Sequence, residues 1–317
     1  MRFADPIGLA AGLGAGAFWG LSFVVPRWLL DVPPDLVAWG RFLVFGAISL
    51  LFTLVWPKAR LEAALWRRHG VAIFALATLG YSAYYRFFVE AVQVSGVEVP
   101  TLVVGLLPLT TLLVSRARAR ETLLPPKLRR PLALTLFGLL ALPLSRWQAG
   151  ADAHATLSGF GLSTLCLASW TAYAVGNAQR TRLLPRASML AWTCATGIAA
   201  ALSSTLLTAA FRPALFSTPF WSDFAGAPTF PRWVAGVVLL GVLASWLAIY
   251  LWNEASRRLR ADLLGQLIVS ETIFGILFAI LLEGRAPRPV EALALASTLT
   301  GVALSVRILG RRPVETP

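Results

Sequence analysis

Ten apolar runs, each about as long as a membrane-crossing helix, follow one another along this chain with short breaks between them. A helix needs about 20 mainly apolar residues to cross the hydrocarbon core. Windows of that kind fall at roughly 9–30, 36–56, 70–92, 98–116, 131–147, 157–178, 187–211, 233–253, 262–282 and 290–308. Turn and breaker signals separate them: 31-DVPPD-35, 95-SG-96, 124-LPPK-127, Pro185, Pro228 and 286-APRP-289. Only 14% of the residues are charged, against about 25% in soluble domains. The expected fold class is therefore an all-α polytopic membrane protein. Arg2 is followed by Asp5 and a glycine-rich run with no cleavage motif, so the first run is expected to stay as a span.

The net charge of +13 raises the question of a nucleic-acid partner. Placing the N-terminus in the cytoplasm puts 20 Lys/Arg in the inner segments, six in the outer ones, and two, Arg41 and Arg86, inside spans. That asymmetry is what the positive-inside rule produces, and it accounts for the charge without nucleic acid. Both termini are expected inside. Cys166 and Cys194 fall within apolar runs without metal-ligand spacing and read as small buried hydrophobes. No metal site or cofactor motif is expected.

The two halves of the chain resemble each other. The segment 18-FWGLSFVVPRWLLDVPPDLVAWGRF-42 has a counterpart in 169-SWTAYAVGNAQRTRLLPRASMLAWTC-194. A second pairing needs no gap: 84-YYRFFVEAV-92 with 248-AIYLWNEAS-256, then 107-LPLTTLL-113 with 271-ETIFGIL-277. Five helices per repeat force the halves into opposite topology, and inverted repeats around a midplane site are a secondary-transporter pattern. The expected division is 1–150 and 151–317.

In Trp19-Gly20, Arg41-Phe42, 90-EAVQVSGVEVPTLVVGLLPLTTLLVSRARARE-121 and 250-YLWNEASRRLRADLLGQLIVSETIFGILFAILLEGR-285, the chain resembles the drug/metabolite transporter superfamily. The resemblance is to ten-helix members with two EamA-type repeats, and it covers nearly the whole length. It implies an inner-membrane secondary transporter that exports amino acids or related small metabolites, by proton exchange or facilitated diffusion. In that family the fourth helix of each repeat often carries a small residue or Glu followed by Pro. Here Leu107-Pro108 keeps the proline, whereas Glu271-Thr272 keeps the glutamate.

Glu271 is the residue that most needs a reason. Translocon-type scales charge about 2.5–3.5 kcal/mol for an acidic residue at the bilayer centre. Burial disfavours the charged carboxylate, so Glu271 reads as a proton-coupling or substrate-binding group, or else as a carboxyl that ties helices together. Ser270 and Gln266 are on nearby turns and are expected to satisfy its hydrogen bonds. Arg41 offers a planar fork to a substrate carboxylate or braces the cavity. Arg86 and Glu90, four apart, are expected to pair as a gate or brace. Tyr84, Trp19 and Trp246 are candidate walls, and Asn177 a candidate ligand contact.

Other residues carry structural expectations. Gly8, Gly12, Gly16 and Gly20 recur every four residues and favour close helix packing over a phosphate loop. Pro26, Pro108 and Pro143 read as hinges or static kinks. Trp28, Trp39, Trp56, Trp147 and Trp233 fall near expected interfaces, while Trp19, Trp170, Trp192 and Trp246 lie deeper. His69 and His154 read as loop residues, Glu98 as solvated. Asn253 and Glu254 are expected to meet Arg257, Arg258 and Arg260. The expected partners are a small-molecule substrate and the lipid bilayer, with monomer and homodimer both open. A membrane-embedded enzyme would need a catalytic cluster, and none is visible. A non-transporting scaffold would need large extramembrane domains, whereas the longest loop, about 211–232, has some twenty residues.

Overall fold

A backbone in hydrocarbon must satisfy every N–H and C=O within its own segment, and helices do so residue by residue. The computed structural model describes residues 5–29, 31–60, 63–95, 98–146, 152–185, 188–284 and 286–309, and among them there is no strand. The first half contains α1 (Pro6–Trp28), α2 (Pro34–Val55), α3 (Ala63–Ala77), α4 (Tyr84–Ser95), α5 (Glu98–Val104), α6 (Leu107–Arg118) and α7 (Pro126–Arg146). The second contains α8 (Ala153–Arg182), α9 (Met189–Phe211), α10 (Thr218–Gly226), α11 (Thr229–Leu239), α12 (Ala248–Arg258), α13 (Ala261–Leu267), α14 (Ser270–Glu283) and α15 (Pro289–Leu309). Five stretches among the described residues are long and apolar enough to cross a membrane: Asp35–Val55, Leu65–Ala91, Met189–Phe211, Thr229–Arg258 and Pro289–Leu309. The chain is thus a polytopic helical membrane protein. Trp147 and both extreme termini, including Arg2, Arg311 and Arg312, lie outside the described residues.

Several elements differ from the sequence reading. The runs at 98–116 and 262–282 are each two helices, broken at Gly105-Leu106 and at Ile268-Val269. Hydropathy cannot register such breaks, because the residues in them are apolar or small. The long helices through residues 65–91 and 229–258 each contain a π-helical segment, Thr78–Ala83 and Leu240–Leu247. A π segment accommodates an extra residue and leaves carbonyls off the regular ladder. Other helices take two of them: Ser169 Oγ donates to Leu79 O at 2.6 Å, and Arg41 Nη2 to Ala244 O at 2.8 Å. The stretch expected as the longest loop holds α10, whose Trp221 packs on Trp233 and Trp39 and whose Phe224 packs on Trp233. Trp233 is buried there, donating to Leu36 O at 3.3 Å. His69 lies within α3, its ring 6.2 Å from that of Trp192, and His154 in the first turn of α8.

Packing brings the two halves together along their lengths. α1 lies on α12 and α14, α8 lies on α4 and α6, α2 pairs with α9, and α7 with α15. The glycine stripe of α1 makes the first of these contacts possible. Gly8 faces Leu259, Gly12 faces Leu267, Gly16 faces Ser270 and Gly20 faces Phe274. A methyl group at Gly20 would sit 2.9 Å from Phe274 Cβ and 3.0 Å from the Gly275 nitrogen, so only glycine lets α14 approach this closely. At the far end of α14, Gly284 adopts φ 59°, the left-handed cap that glycine accepts at no cost.

Candidate functional site

Where α1, α2, α4, α6, α8 and α14 meet, their side chains enclose a cavity with about 120 Å³ for the centres of water-sized molecules. The two helix breaks supply part of its lining, through Gly105, Leu107 and Pro108 on one side and Ile268, Val269 and Glu271 on the other. Glu271 is in the first turn of α14, where a carboxylate complements the partial positive charge of a helix start. The close approach at Gly16 and Gly20 fixes that turn against α1.

Glu271 is half-buried and faces the cavity, and among the described residues its carboxylate accepts no hydrogen bond. The expected partners are engaged elsewhere. Ser270 Oγ donates to Leu267 O at 2.7 Å, and Gln266 Nε2 crosses from α13 to Pro108 O at 3.2 Å. The counter-charge that acts on Glu271 is Arg41.

Arg41 also lines the cavity, but it is pinned. Nε donates to Ser245 Oγ at 2.8 Å, Nη1 to Ser22 Oγ at 3.2 Å and Nη2 to Ala244 O at 2.8 Å. Its guanidinium carbon lies 5.1 Å from the Tyr85 ring centroid and 5.5 Å from that of Phe42. Neutral acceptors and aromatic faces thus stabilise the cation, and among the described residues no carboxylate forms an ion pair with it.

The remaining walls are mostly aromatic, with Trp19, Tyr84, Tyr85, Phe88 and Trp170 among them. Trp252 backs two of these walls, its ring 5.2 Å from Trp19 and 5.6 Å from Trp170. The Tyr81 and Tyr173 hydroxyls bond to each other at 2.7 Å. One turn further along α8, a buried polar chain ties three helices. Trp192 Nε1 donates to Asn177 Oδ1 (3.0 Å), Asn177 Nδ2 to Asn253 Oδ1 (2.9 Å) and Asn253 Nδ2 to Thr193 Oγ1 (2.9 Å).

Ion clusters stand at either end of the bundle. At the end where α6 and α12 finish, Arg116 pairs with Glu121 at 2.9 Å and approaches Asp262 at 3.7 Å. Arg260 binds Glu121 at 2.8 Å and Asp262 at 3.2 Å, and Arg182 donates to Leu259 O. Arg116 and Asp262 are only 2% and 1% exposed, so this cluster is a seal rather than a surface decoration. Glu254 binds Arg257 at 2.7 Å and Arg258 at 3.1 Å, and Arg258 also binds Asp5 at 3.0 Å. At the other end Arg86 binds Asp35 at 2.6 Å and Glu90 at 3.2 Å, while Arg212 binds Asp35 at 2.8 Å.

Glu271, Arg41, Trp19 and Tyr84 therefore converge on one cavity. Asn177 and Trp246 do not line it. Asn177 is fully engaged in the polar chain, and Trp246 stacks on Phe52 and Tyr250. Asn253 belongs to that same chain instead of meeting the basic loop. Arg86 and Glu90 do pair, with Asp35 as the shorter contact. The sequence reading passed over Asp35, whose place in the first turn of α2 was its one signal.

Residues 6–142 match the model described as the EamA-like transporter family. Inner membrane protein YtfF of Escherichia coli (strain K12) is 29% identical over 318 residues, covering 97% of each chain. Over residues 6–142 the chain is similar to the EamA-like transporters. A second relative is the aromatic amino acid exporter YddG of Ancylobacter novellus, 25% identical over 89% of this chain and 90% of that one. A crystal structure of a protein 22% identical in sequence superposes with a TM-score of 0.76, covering 98% of this chain and 99% of that one, which shows a shared fold. Ser22, Tyr85, Phe88 and Val104 are cavity residues that no sequence motif marked. The aromatic run 81-YSAYYRFF-88 was the signal for two of them.

Proposed function

We propose that this protein is an EamA-type, ten-span secondary transporter of the inner membrane. It would export amino acids or related small amphipathic metabolites through the cavity at Glu271. The observation that carries the reading is the position of that cavity, between two broken helices and holding a carboxylate without a hydrogen bond to any described residue. Broken helices at a midplane site are how secondary transporters present polar groups in hydrocarbon. Glu271 then binds a proton or the substrate amine. Arg41 braces the wall, Trp19 and Tyr84 hold the substrate's apolar part, and the Arg86–Glu90–Asp35 cluster gates one end.

Two inverted repeats, 1–150 and 151–317, are part of the proposal. Tyr84 and Ala248, aligned by the gapless pairing, each begin a helix directly after a π segment. Leu107 begins α6, and its aligned partner Glu271 lies one residue into α14. The contacts of α1 with α12 and α14 are mirrored by those of α8 with α4 and α6. The distribution of the basic residues supports a cytoplasmic position for both termini. The relatives' names, an inner membrane protein and an aromatic amino acid exporter, support location and substrate class.

The test is reconstitution in liposomes, with proton flux measured against a panel of amino acids for wild type and Glu271→Gln. Substrate-dependent proton movement that the variant loses establishes exchange through Glu271. Amino-acid flux that survives the substitution makes the protein a facilitator with a structural carboxyl. Folded protein that moves nothing on the panel removes the substrate class proposed here.

A further inference from the structure

Toward the end where α6 and α12 finish, the cavity stops at Leu107-Pro108, Ile249 and Ile268, and no described residue of α13 lines it. There the two broken runs cross. Gln266 Nε2 of α13 donates to Pro108 O of α6 at 3.2 Å, and a methyl group at Gly265 would collide with Thr111 Oγ1. The other halves of the same runs go separate ways, α5 packing on α8 and α7, and α14 on α1. Beyond the crossing, Asp262 and Glu121 bridge Arg116 and Arg260 at 2.8–3.7 Å.

Between the cavity and those ions lies a zone with unexpected polar content. α6 runs from Leu107 at the cavity to Arg116 in the ion cluster, and α12 runs from Ile249 to Arg258, which binds Asp5. α13 leads back from Asp262 toward Ile268. Within these intervals Ser115 Oγ, Trp252 Nε1, Ser256 Oγ and Gln266 Oε1 are buried with no hydrogen-bond partner among the described residues. Trp252 and Ser256 are 0% exposed and Gln266 is 1% exposed. An interior that never opened would favour apolar side chains at such places, because an orphaned buried polar atom is costly. A wall that becomes wet in a second state has a use for them.

We infer that the crossing of α6 and α13 is a gate locked by Asp262 and Glu121, and that the path it opens runs past Ser115, Ser256 and Gln266. The inference rests on the cavity being the transport site. Parting the two helices exchanges the Gln266–Pro108 bond and the ion pairs for contacts with water, and the same water reaches the orphaned groups. Because charge holds the closed state, neutralising either carboxylate shifts the balance toward the open one.

The test is the rate at which a water-soluble maleimide labels Ser115→Cys and Ser256→Cys in full-length protein in lipid nanodiscs, where both faces meet the reagent. Lys127→Cys, exposed at the start of α7, reports free access, and the native Cys194, buried in α9, reports general loosening. With the ion cluster intact, both path cysteines should react far more slowly than Lys127→Cys. Adding Asp262→Asn should speed both at least about tenfold, the bias expected when a charged contact made in only one state is lost. Glu121→Gln should act in the same direction, and it carries the test where Asp262→Asn does not fold. Glu90→Gln, which loses an ion pair at the opposite end, should leave both rates within about threefold. Path cysteines that label freely beside an intact cluster overturn the gate, and so do rates that neither cluster variant changes. Acceleration that Cys194 shares overturns it too, because the whole bundle has then loosened. No substrate enters this assay, so a failed gate leaves the flux result standing, and a failed amino-acid panel leaves these rates unaltered.

Discussion

Arg41 and Glu271 share a cavity, yet their removal should be felt in different measurements. Truncating Arg41 strands Ser245 Oγ, Ser22 Oγ and Ala244 O in an apolar interior. At about 1–3 kcal/mol for each stranded buried group, partly relieved by rearrangement, Arg41→Ala is expected to cost about 2–4 kcal/mol of folding stability. Unfolding in detergent or nanodiscs reads that loss. Glu271→Gln gives up no hydrogen bond to a described residue, so its stability should change by less than about 1 kcal/mol. Its substrate flux should nonetheless fall at least about tenfold, as expected when a charge contact is lost. Equal stability losses in the two variants would contradict this division. At this scale the sequence was partly legible. A carboxylate ten residues into an apolar run announces itself, but pinning by Ser245 and Ala244 brings together residues some two hundred apart. No local pattern records it.

Helix packing decides which glycines matter. Gly20→Ala drives a methyl group into the backbone of α14 at Phe274-Gly275, and overpacking of that kind costs about 1–3 kcal/mol. Because α14 carries Glu271 in its first turn, flux should fall with stability. Gly161 lies on the exposed side of α8 with nothing within 4 Å of an added Cβ. Gly161→Ala should raise stability by about 0.5–1 kcal/mol and leave flux unchanged. A matched pair of unfolding curves tests both. The four-residue glycine spacing showed the packing face in advance, since a stripe that narrow has few other uses. The helix breaks were hidden: Gly105 and Pro108 hint at one, but Ile268-Val269 is as apolar as its surroundings. What ends α13 there is its crossing of α6, with Gly265 against Thr111 and Gln266 on Pro108 O.

For the whole molecule, the ion clusters divide the bundle into a buried seal at one end and a partly exposed latch at the other. Asp262→Asn removes a carboxylate that both Arg260 and Arg116 approach. Hydrogen exchange should accelerate in α6 and α13, and hardly at all in α2, whose Asp35 belongs to the opposite cluster. Orientation has a direct test. A membrane-impermeant maleimide applied to intact cells is expected to label Arg232→Cys and to spare Lys58→Cys. Cys166 and Cys194 are buried and give no background. The reverse pattern would invert the topology assigned from the basic residues. Length, apolarity and charge asymmetry made the class of architecture readable from the chain alone. Which ends are sealed was not readable, because each cluster joins residues from both halves.

The π segment at Leu240–Leu247 also bears on how such a protein can change. It supplies both Ala244 O and Ser245 Oγ to Arg41, so the state of that arginine depends on a count of residues as well as on the side chains around it. Deleting one residue there would restore a regular helix and leave the part beyond it near its present orientation. Asn253 would keep its place in the polar chain, while Arg41 would lose the carbonyl and the hydroxyl that the widened turn brings to it. One lost codon, with no substitution in the lining, would loosen the cation that this wall holds in place.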